Sequence, residues 1–518
     1  MRRVAAVFIT LLFCAAIAAA QNRSVDVLHY SIEVDVPAQG EEIAARAELS
    51  VKPLAAPLES LELDFAGFTI DEVTIDGAPA AFTREGERLR IATKKSEPFR
   101  ARIRYHGKPS NGLFLQNNKH GRRGVFADNW PNRAHYWFPS VDHPSDKATV
   151  EFFVTAPASY DVVANGVRIE TTTVANGMKR TRWSEATPIP VHCMVIGAGE
   201  FSVVRAGAWE GTEITYYLDP NDREAGVRQL GRTPRMVEIF SALVGPFPYD
   251  KLALVESSTR FGGMENATAI FLDEKRVGSE PSLEDLAAHE IAHQWFGDSV
   301  TQTQWGDLWL SEGFATYFGY VFFERADGRE AFNKRMRESR ADYLKANRAH
   351  PQPIRATQSP DLFKLLNAFN YDKAAWVLHM LRGMMGDGPF FAAVRDYYSA
   401  YRDRNVTTAE LRMIMERHAG QPLDWFFRQW LFEPGHPMYA LDWQWKSGKV
   451  GVTIEQKQEG TVFRMPVVLE LRGDAGVQRE TVLVDERREQ IEIASQQPPV
   501  TVVLDPDEVI LKEMVPAQ

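Results

Sequence analysis

The sequence predicts an α+β multidomain protein: an all-β domain first, a mixed α/β domain in the middle, and a small β-sandwich last. Three observations predict it. Short alternating runs broken by turn dipeptides fill residues 22–204, apolar residues at three- and four-residue spacing dominate after about residue 205, and short strand patterns return from Met438. The 518 residues suit roughly three domains of ordinary size. With 44% hydrophobic and 25% charged residues the composition is globular, so a large core can be built.

The first domain is read over 21–204. Runs such as Val25 to Val36 and Leu61 to Phe65 alternate, and Asp76-Gly77, Glu85-Gly86, Asn165-Gly166 and Asn176-Gly177 mark turns between them. The second is read over 205–436. It carries helical patterns at Pro234 to Leu243, Leu283 to Phe296, Gly313 to Glu324, Tyr371 to Met385, Pro389 to Tyr401 and Thr408 to His418. Thr407 with Glu410 forms a capping-box pattern at the last of these. Strands are expected at Leu252 to Glu256 and Ala267 to Asp273. The third domain, 437–518, holds six short strand patterns, enough for a small sandwich.

Residues 1–20 read as an export signal: Arg2 and Arg3 start it, Val4 to Ala16 is apolar, and Ala18-Ala19-Ala20 offers small residues for cleavage. The mature chain is expected to start near Gln21 and to work outside the cytoplasm, periplasmic or secreted. An uncleaved anchor is the alternative, but the apolar run is short against a span of about 20 residues. No stable membrane insertion is expected after cleavage. Cys14 leaves with the signal and Cys193 then stands alone, so no intrachain disulfide forms and the core must hold the fold. The net charge of −10 argues against a nucleic-acid partner, which needs a basic face. Oligomeric state is not readable.

The sharpest local feature is His289-Glu290-Ile291-Ala292-His293, inside a helix that Ser282 and Asp285 would cap and Gly297 would end in the left-handed conformation. Residues four apart on a helix lie about 5–6 Å apart at Cβ, so two imidazoles there can converge on one zinc ion. Glu290 leans toward the same face and can act as a base without binding the metal. A hydrolytic zinc takes three protein ligands and keeps one position open. Glu312, among Leu308, Trp309, Leu310, Phe314 and Ala315, is the candidate third ligand, because a carboxylate in apolar company is costly unless paired or bound. The alternatives are a chance pentad and an acid at a helix start capped by Ser311.

Together, His289-Glu290-Ile291-Ala292-His293-Gln294-Trp295-Phe296-Gly297 and Trp309-Leu310-Ser311-Glu312-Gly313-Phe314-Ala315 resemble the M1 family of zinc aminopeptidases, gluzincins with an HExxH motif and a later Glu. So do Gly262-Gly263-Met264-Glu265-Asn266, Tyr371-Asp372-Lys373 with His379-Met380-Leu381, and Trp137 to Pro144 with Lys147-Ala148-Thr149. The resemblance implies a thermolysin-like catalytic domain and hydrolysis of the amino-terminal residue of peptides. It implies zinc on His289, His293 and Glu312, Glu290 as general base, Glu265 on the substrate's free amine, and Tyr371 on the oxyanion. Gly262 and Gly263 would meet the peptide backbone within the stretch that Met264 and Asn266 complete.

Departures are Ala374 where the family usually has Gly, Gly306 and Ser311 where Asn is common, and Ser140 for a frequent Cys. Asp128 or Trp130 would take the place of a pocket-lining Gln. The chain ends without the long helical domain many relatives add, so a short form with an open cleft is expected. The rivals are a bifunctional or epoxide-opening zinc hydrolase, since some relatives share the Gly-Gly-Met-Glu-Asn form, and a non-catalytic binding protein on the same fold. His379, His418 and His436 have no partner at metal spacing.

Overall fold

The computed structural model describes residues 23–279, 283–355, 361–474 and 476–517; the expected signal and Ser282 lie outside the described residues. The chain divides into two compact units. The first runs to Phe201 and includes Ser257–Arg260 and Asn266–Ala269; the second holds Ser202–Glu256, Phe261–Glu265 and the chain from Ile270.

The first unit is all β. Its largest sheet has eight strands, with Val25–Asp35 between Ile43–Pro53, its antiparallel neighbour, and Lys147–Pro157, its parallel one. Alternation of sequence becomes alternation of burial: Tyr30, Ile32 and Val34 are buried while their neighbours are not. The Trp137 to Pro144 stretch serves this core. Trp137 is fully buried, donates to Asn129 Oδ1 at 2.8 Å, and its carbonyl accepts from the Tyr105 hydroxyl at 2.8 Å. Asp142 holds the His135 imidazole at 2.7 Å, and Cys193 is buried. Asp128 and Trp130 are buried here as well, and Asp128 is committed to an ion pair with Arg133.

The second unit begins with a five-stranded sheet in the order Ser202–Trp209, Thr212–Leu218, Lys251–Ser257, Ala269–Asp273 and Gly263–Met264, so Gly263–Met264 is an edge strand. Helices α1 (Arg223–Gln229) and α2 (Thr233–Val244) lie between its second and third strands, and α3 (Leu283–His293), α4 (Trp309–Asp327), α5 (Arg329–Ala349), α6 (Ala374–Met385), α7 (Asp387–Tyr401) and α8 (Thr408–Ala419) follow it. The capping box of α8 is present, with Thr407 and Glu410 bonding reciprocally, and Gly420 closes the helix in the left-handed conformation. Residues 437–518 form two sheets whose inward residues, among them Val450, Val452, Ile454, Val467 and Leu469, are buried.

Three expectations change. α3 stops at His293 rather than Phe296: beyond it Gln294 N bonds Ile291 O in a tightened turn and Asp298 N reaches back to His293 O. Gly297 has φ +123°, outside the left-handed helical region, and it does not cap α3. Tyr371 does not open a regular helix; it lies in a wide π-type turn, Phe369–Lys373, where Lys373 N bonds Ala368 O at 2.9 Å. α5 and α1 are additional to the helices read from sequence.

α4 is where the helices meet. Its Gly319 faces the backbone of α3, where a Cβ would sit 3.4 Å from His289 N, in ordinary van der Waals contact. A Cβ on Gly313 would lie 2.5 Å from the Ala374 methyl, so the alanine that departs from the family pattern occupies space that Gly313 leaves. Arg382 of α6 is buried and bonds Glu324 of α4 at 2.6 Å and Asp387 at 2.7 Å, tying three helices.

Beside it His379 is buried against Tyr317, Phe332 and Trp376. Burial, with Arg382 and Arg329 adding, pushes this imidazole down to about 4. The unfolded chain takes up the proton at the ordinary value of 6.5, so the His379 contribution is full above that pH and is lost as pH falls toward 4. The expected loss approaches about 3 kcal/mol. Urea unfolding of the second unit at stepped pH should show that much less dependence in His379→Gln.

Candidate active site

α3 and α4 carry the centre. His289 and His293 lie one turn apart on α3, and Glu312 is in the first turn of α4. The two Nε2 atoms are 3.0 Å apart, and Glu312 Oε2 is 3.3 Å from His289 Nε2 and 3.2 Å from His293 Nε2. A tetrahedral zinc with bonds of about 2.0–2.2 Å sets its ligand atoms about 3.3 Å apart, so this triangle has the right edge for one ion. Glu312 Oε2 is buried and has no regular hydrogen-bond partner, which is the condition of a carboxylate oxygen shaped for a metal. Ser311 does not cap α4; the expected alternative for Glu312 fails because no side chain caps that helix.

The far side of each imidazole is held as well. His293 Nδ1 is 3.0 Å from Phe296 O and 3.0 Å from Ser311 Oγ, and His289 Nδ1 is 3.4 Å from Thr316 Oγ1. A backbone carbonyl accepts from Nδ1–H, which leaves the Nε2 lone pair of His293 for a metal. Gly297 is needed for this arrangement: a Cβ there would meet Ser311 Oγ at 2.3 Å and His293 Nδ1 at 3.1 Å. These outer partners were missed by sequence reasoning. Thr316 was within reach, one turn after Glu312 on the same helix; the Phe296 carbonyl carries no side-chain signal.

Glu290 is buried, and its Oε2 has no hydrogen-bond partner. It lies under the edge strand. A Cβ on Gly263 would be 2.1 Å from Glu290 Oε1, and one on Gly262 would be 3.0 Å from Arg276 Nε. The two glycines therefore make room for this chain's own Glu290 and Arg276, a reason sequence reasoning did not find. Met264 is buried on the same strand. Glu265 follows it; its carbonyl accepts from Gln294 Nε2 at 2.8 Å, which ties the end of the strand to α3's exit. Oxygen atoms of Glu265 and Glu290 and a ring nitrogen of His293 lie within 4.8 Å of one another. Asn266 belongs to the first unit; it is fully buried and its side chain has no hydrogen-bond partner among the described residues.

Tyr371 stacks on His289 with ring centroids 5.9 Å apart and planes 12° apart, and its hydroxyl faces Glu312. The turn that carries it is fastened by Lys373, which is buried and donates to Glu433 O at 3.1 Å; burial pushes that ammonium down to about 7. Electrostatics follow from crowding. Burial raises Glu265 to about 7, with His293 opposing and Glu312 adding. Burial likewise raises Glu290 well above its ordinary value. For His293 burial works the other way, but Glu312, Glu265 and Glu290 outweigh it and push the imidazole to about 10. Burial raises Tyr371, and Glu312 adds to it, so the phenol stays protonated.

Residues 229–430 match the Peptidase family M1 domain, and residues 27–192 match the Peptidase M1 N-terminal domain. The chain belongs to peptidase family M1. A solved M1 zinc metallopeptidase from Deinococcus radiodurans aligns with TM-score 0.71 at 25% identity, over 80% of this chain and 95% of that one. Legionella pneumophila aminopeptidase A, solved with aspartic acid, shares the fold with TM-score 0.84 at 18% identity, over 96% of this chain and 60% of that one. Among curated relatives, "Probable aminopeptidase 1" of Sulfurisphaera tokodaii is 24% identical over 82% of this chain and 56% of its own length. Tricorn protease-interacting factor F2 of Thermoplasma acidophilum is 27% identical over 78% and 53%. This M1 chain thus spans about half the length of the curated relatives it matches.

Proposed function

We propose that this M1 peptidase is a zinc-dependent aminopeptidase that removes single residues from peptides with a free amino terminus. The observation that carries the reading is the triangle of His289, His293 and Glu312, with the carboxylates of Glu290 and Glu265 gathered on its His293 side. His289, His293 and Glu312 would hold one zinc ion, which supplies a Lewis acid for the peptide carbonyl and lowers the pKa of water.

The chain's own groups do the rest. Glu265, at the end of the edge strand, binds the substrate ammonium and so fixes the cut one residue from the end. The open side of Gly263–Met264 takes the peptide as one more strand. Glu290, with one carboxylate oxygen unpartnered, takes a proton from the attacking water. Its elevated pKa suits passing that proton on to the leaving nitrogen. Tyr371 keeps its phenolic proton and donates it as a hydrogen bond to the oxygen that gains charge. The leader pattern of residues 1–20 supports an exported location, periplasmic or secreted.

The test is Glu265→Ala. In the unaltered enzyme kcat/KM for a free-amine peptide should exceed that for its N-acetyl form, and the substitution should shrink that ratio by about 10- to 100-fold, the worth of a charged hydrogen bond. An unchanged ratio would remove Glu265 from this role.

A further inference from the structure

The second unit holds a cavity of about 510 Å³, with His289 and Tyr371 in its wall. Glu265, Glu290 and His293 do not line it. The amine anchor and the cavity therefore flank the metal triad on different sides, one beside His293 and the other beside His289. A peptide whose amine rests on Glu265 and whose first carbonyl lies at the triad would send the side chain of its second residue into this cavity.

The lining has two parts. Leu286 and Leu366 give apolar wall, while Asp285 and Asp372 give carboxylates, and no Lys or Arg lines the cavity among the described residues. The two acids are not equivalent. Asp285 is already engaged at an exposed rim, where Arg335 Nη2 donates to its Oδ2 at 3.2 Å and Nε to its Oδ1. Asp372 has no cation partner among the described residues. The groups that face it are Ser339, the phenol of Tyr320 and a second acid, Asp342. Burial first, and Asp342 with it, raises the Asp372 carboxyl to about 7. A partly buried carboxylate without a counter-charge, beside apolar wall in a cavity open to a substrate, is complementary to a long side chain with an apolar stem and a cationic tip.

We infer that this cavity is a selectivity site for the second residue of the peptide and that Asp372 makes it prefer lysine or arginine there. The inference rests on the aminopeptidase reading and deepens it. Leu286 and Leu366 would cover the methylene stem, and the cation would restore full ionisation of Asp372. The position of Asp372 in the Phe369–Lys373 turn, next to Tyr371, fixes its distance from the scissile bond.

The experiment uses the full-length, zinc-loaded chain carrying Glu290→Gln, so that peptide binds without being cut. Calorimetric titration compares Leu-Lys-Gly with Leu-norleucyl-Gly, which has the same four-carbon stem and no charge. The lysine peptide should bind about 10- to 100-fold more tightly. Adding Asp372→Asn should bring the two dissociation constants together, and Asp372→Glu should keep them apart. Equal or tighter binding of the norleucine peptide to the Glu290→Gln protein overturns the inference, whatever Asp372→Asn does to folding. A lysine preference that survives Asp372→Asn intact also overturns it. Both results leave peptide binding in place, and so differ from failure of the aminopeptidase reading, in which no free-amine peptide is bound or cut.

Discussion

Glu290→Gln lowers kcat by at least about 10²–10⁴-fold while zinc content stays at one per chain. The size is that of a lost general base. The separation of the two readouts comes from geometry: Glu290 stands one residue from His289 on α3, yet the metal triangle is closed by Glu312, and Glu290 Oε1 lies instead under Gly263. Gln keeps the shape of the side chain and one acceptor oxygen but cannot take a proton at neutral pH. The substitution also removes a carboxyl whose charged form burial disfavours, so the variant should fold at least as well as the parent. Mass spectrometry of the native protein gives the metal content and a single aminoacyl substrate gives the rate. Retained turnover would end the assignment of Glu290, and loss of zinc would mean that it is a ligand.

Glu312→Ala is the second large effect, and its first readout is the metal. Removing an outer partner of a zinc ligand costs 10–100-fold in affinity, so removing a ligand should cost more than about 100-fold. The expected result is loss of zinc on dialysis against a weak chelator. A zinc ion held by the parent would stabilise it by favouring the folded state that binds it. Addition of zinc should therefore raise the Tm of the parent and leave Glu312→Ala unmoved at the same concentration. A Tm that rises equally in both would exclude Glu312 as a ligand.

Much of the architecture was legible before any coordinates, for a physical reason. Strands and buried helices advertise themselves by the period of their apolar residues, and the His289–His293 spacing is itself a helical period. What escaped reading was of two kinds. α5 was overlooked because its surface is strongly polar; its inward residues, Phe332, Met336, Ser339 and Tyr343, do keep helical spacing, but a serine interrupts the apolar stripe between Met336 and Tyr343. Backbone devices were overlooked because they leave little trace in side-chain chemistry: the tightened exit of α3, the wide turn under Tyr371, and the Phe296 carbonyl that orients His293. The glycines at 262 and 263 were visible as letters, but what fills the space they leave comes from residues 276 and 290, and only folding brings those together.

The Trp137 to Pro144 motif teaches a related lesson. It is as recognisable as the metal motif, yet its tryptophan and aspartate are spent on internal bonds to Asn129, Tyr105 and His135. A distinctive string of residues can record a packing solution as readily as a chemical one, and the unpartnered oxygens of Glu290 and Glu312 are the better guide to where chemistry happens.

The edge strand Gly263–Met264 is only two residues long. A guest segment can gain few rungs from so short a ladder, each worth about 1 kcal/mol net in water. After the first residue leaves, the trimmed remainder keeps little that would hold it while it slides forward by one position. On the aminopeptidase reading proposed above, such an enzyme would let go after every cut and shorten a population of peptides in step, instead of consuming one molecule to its end.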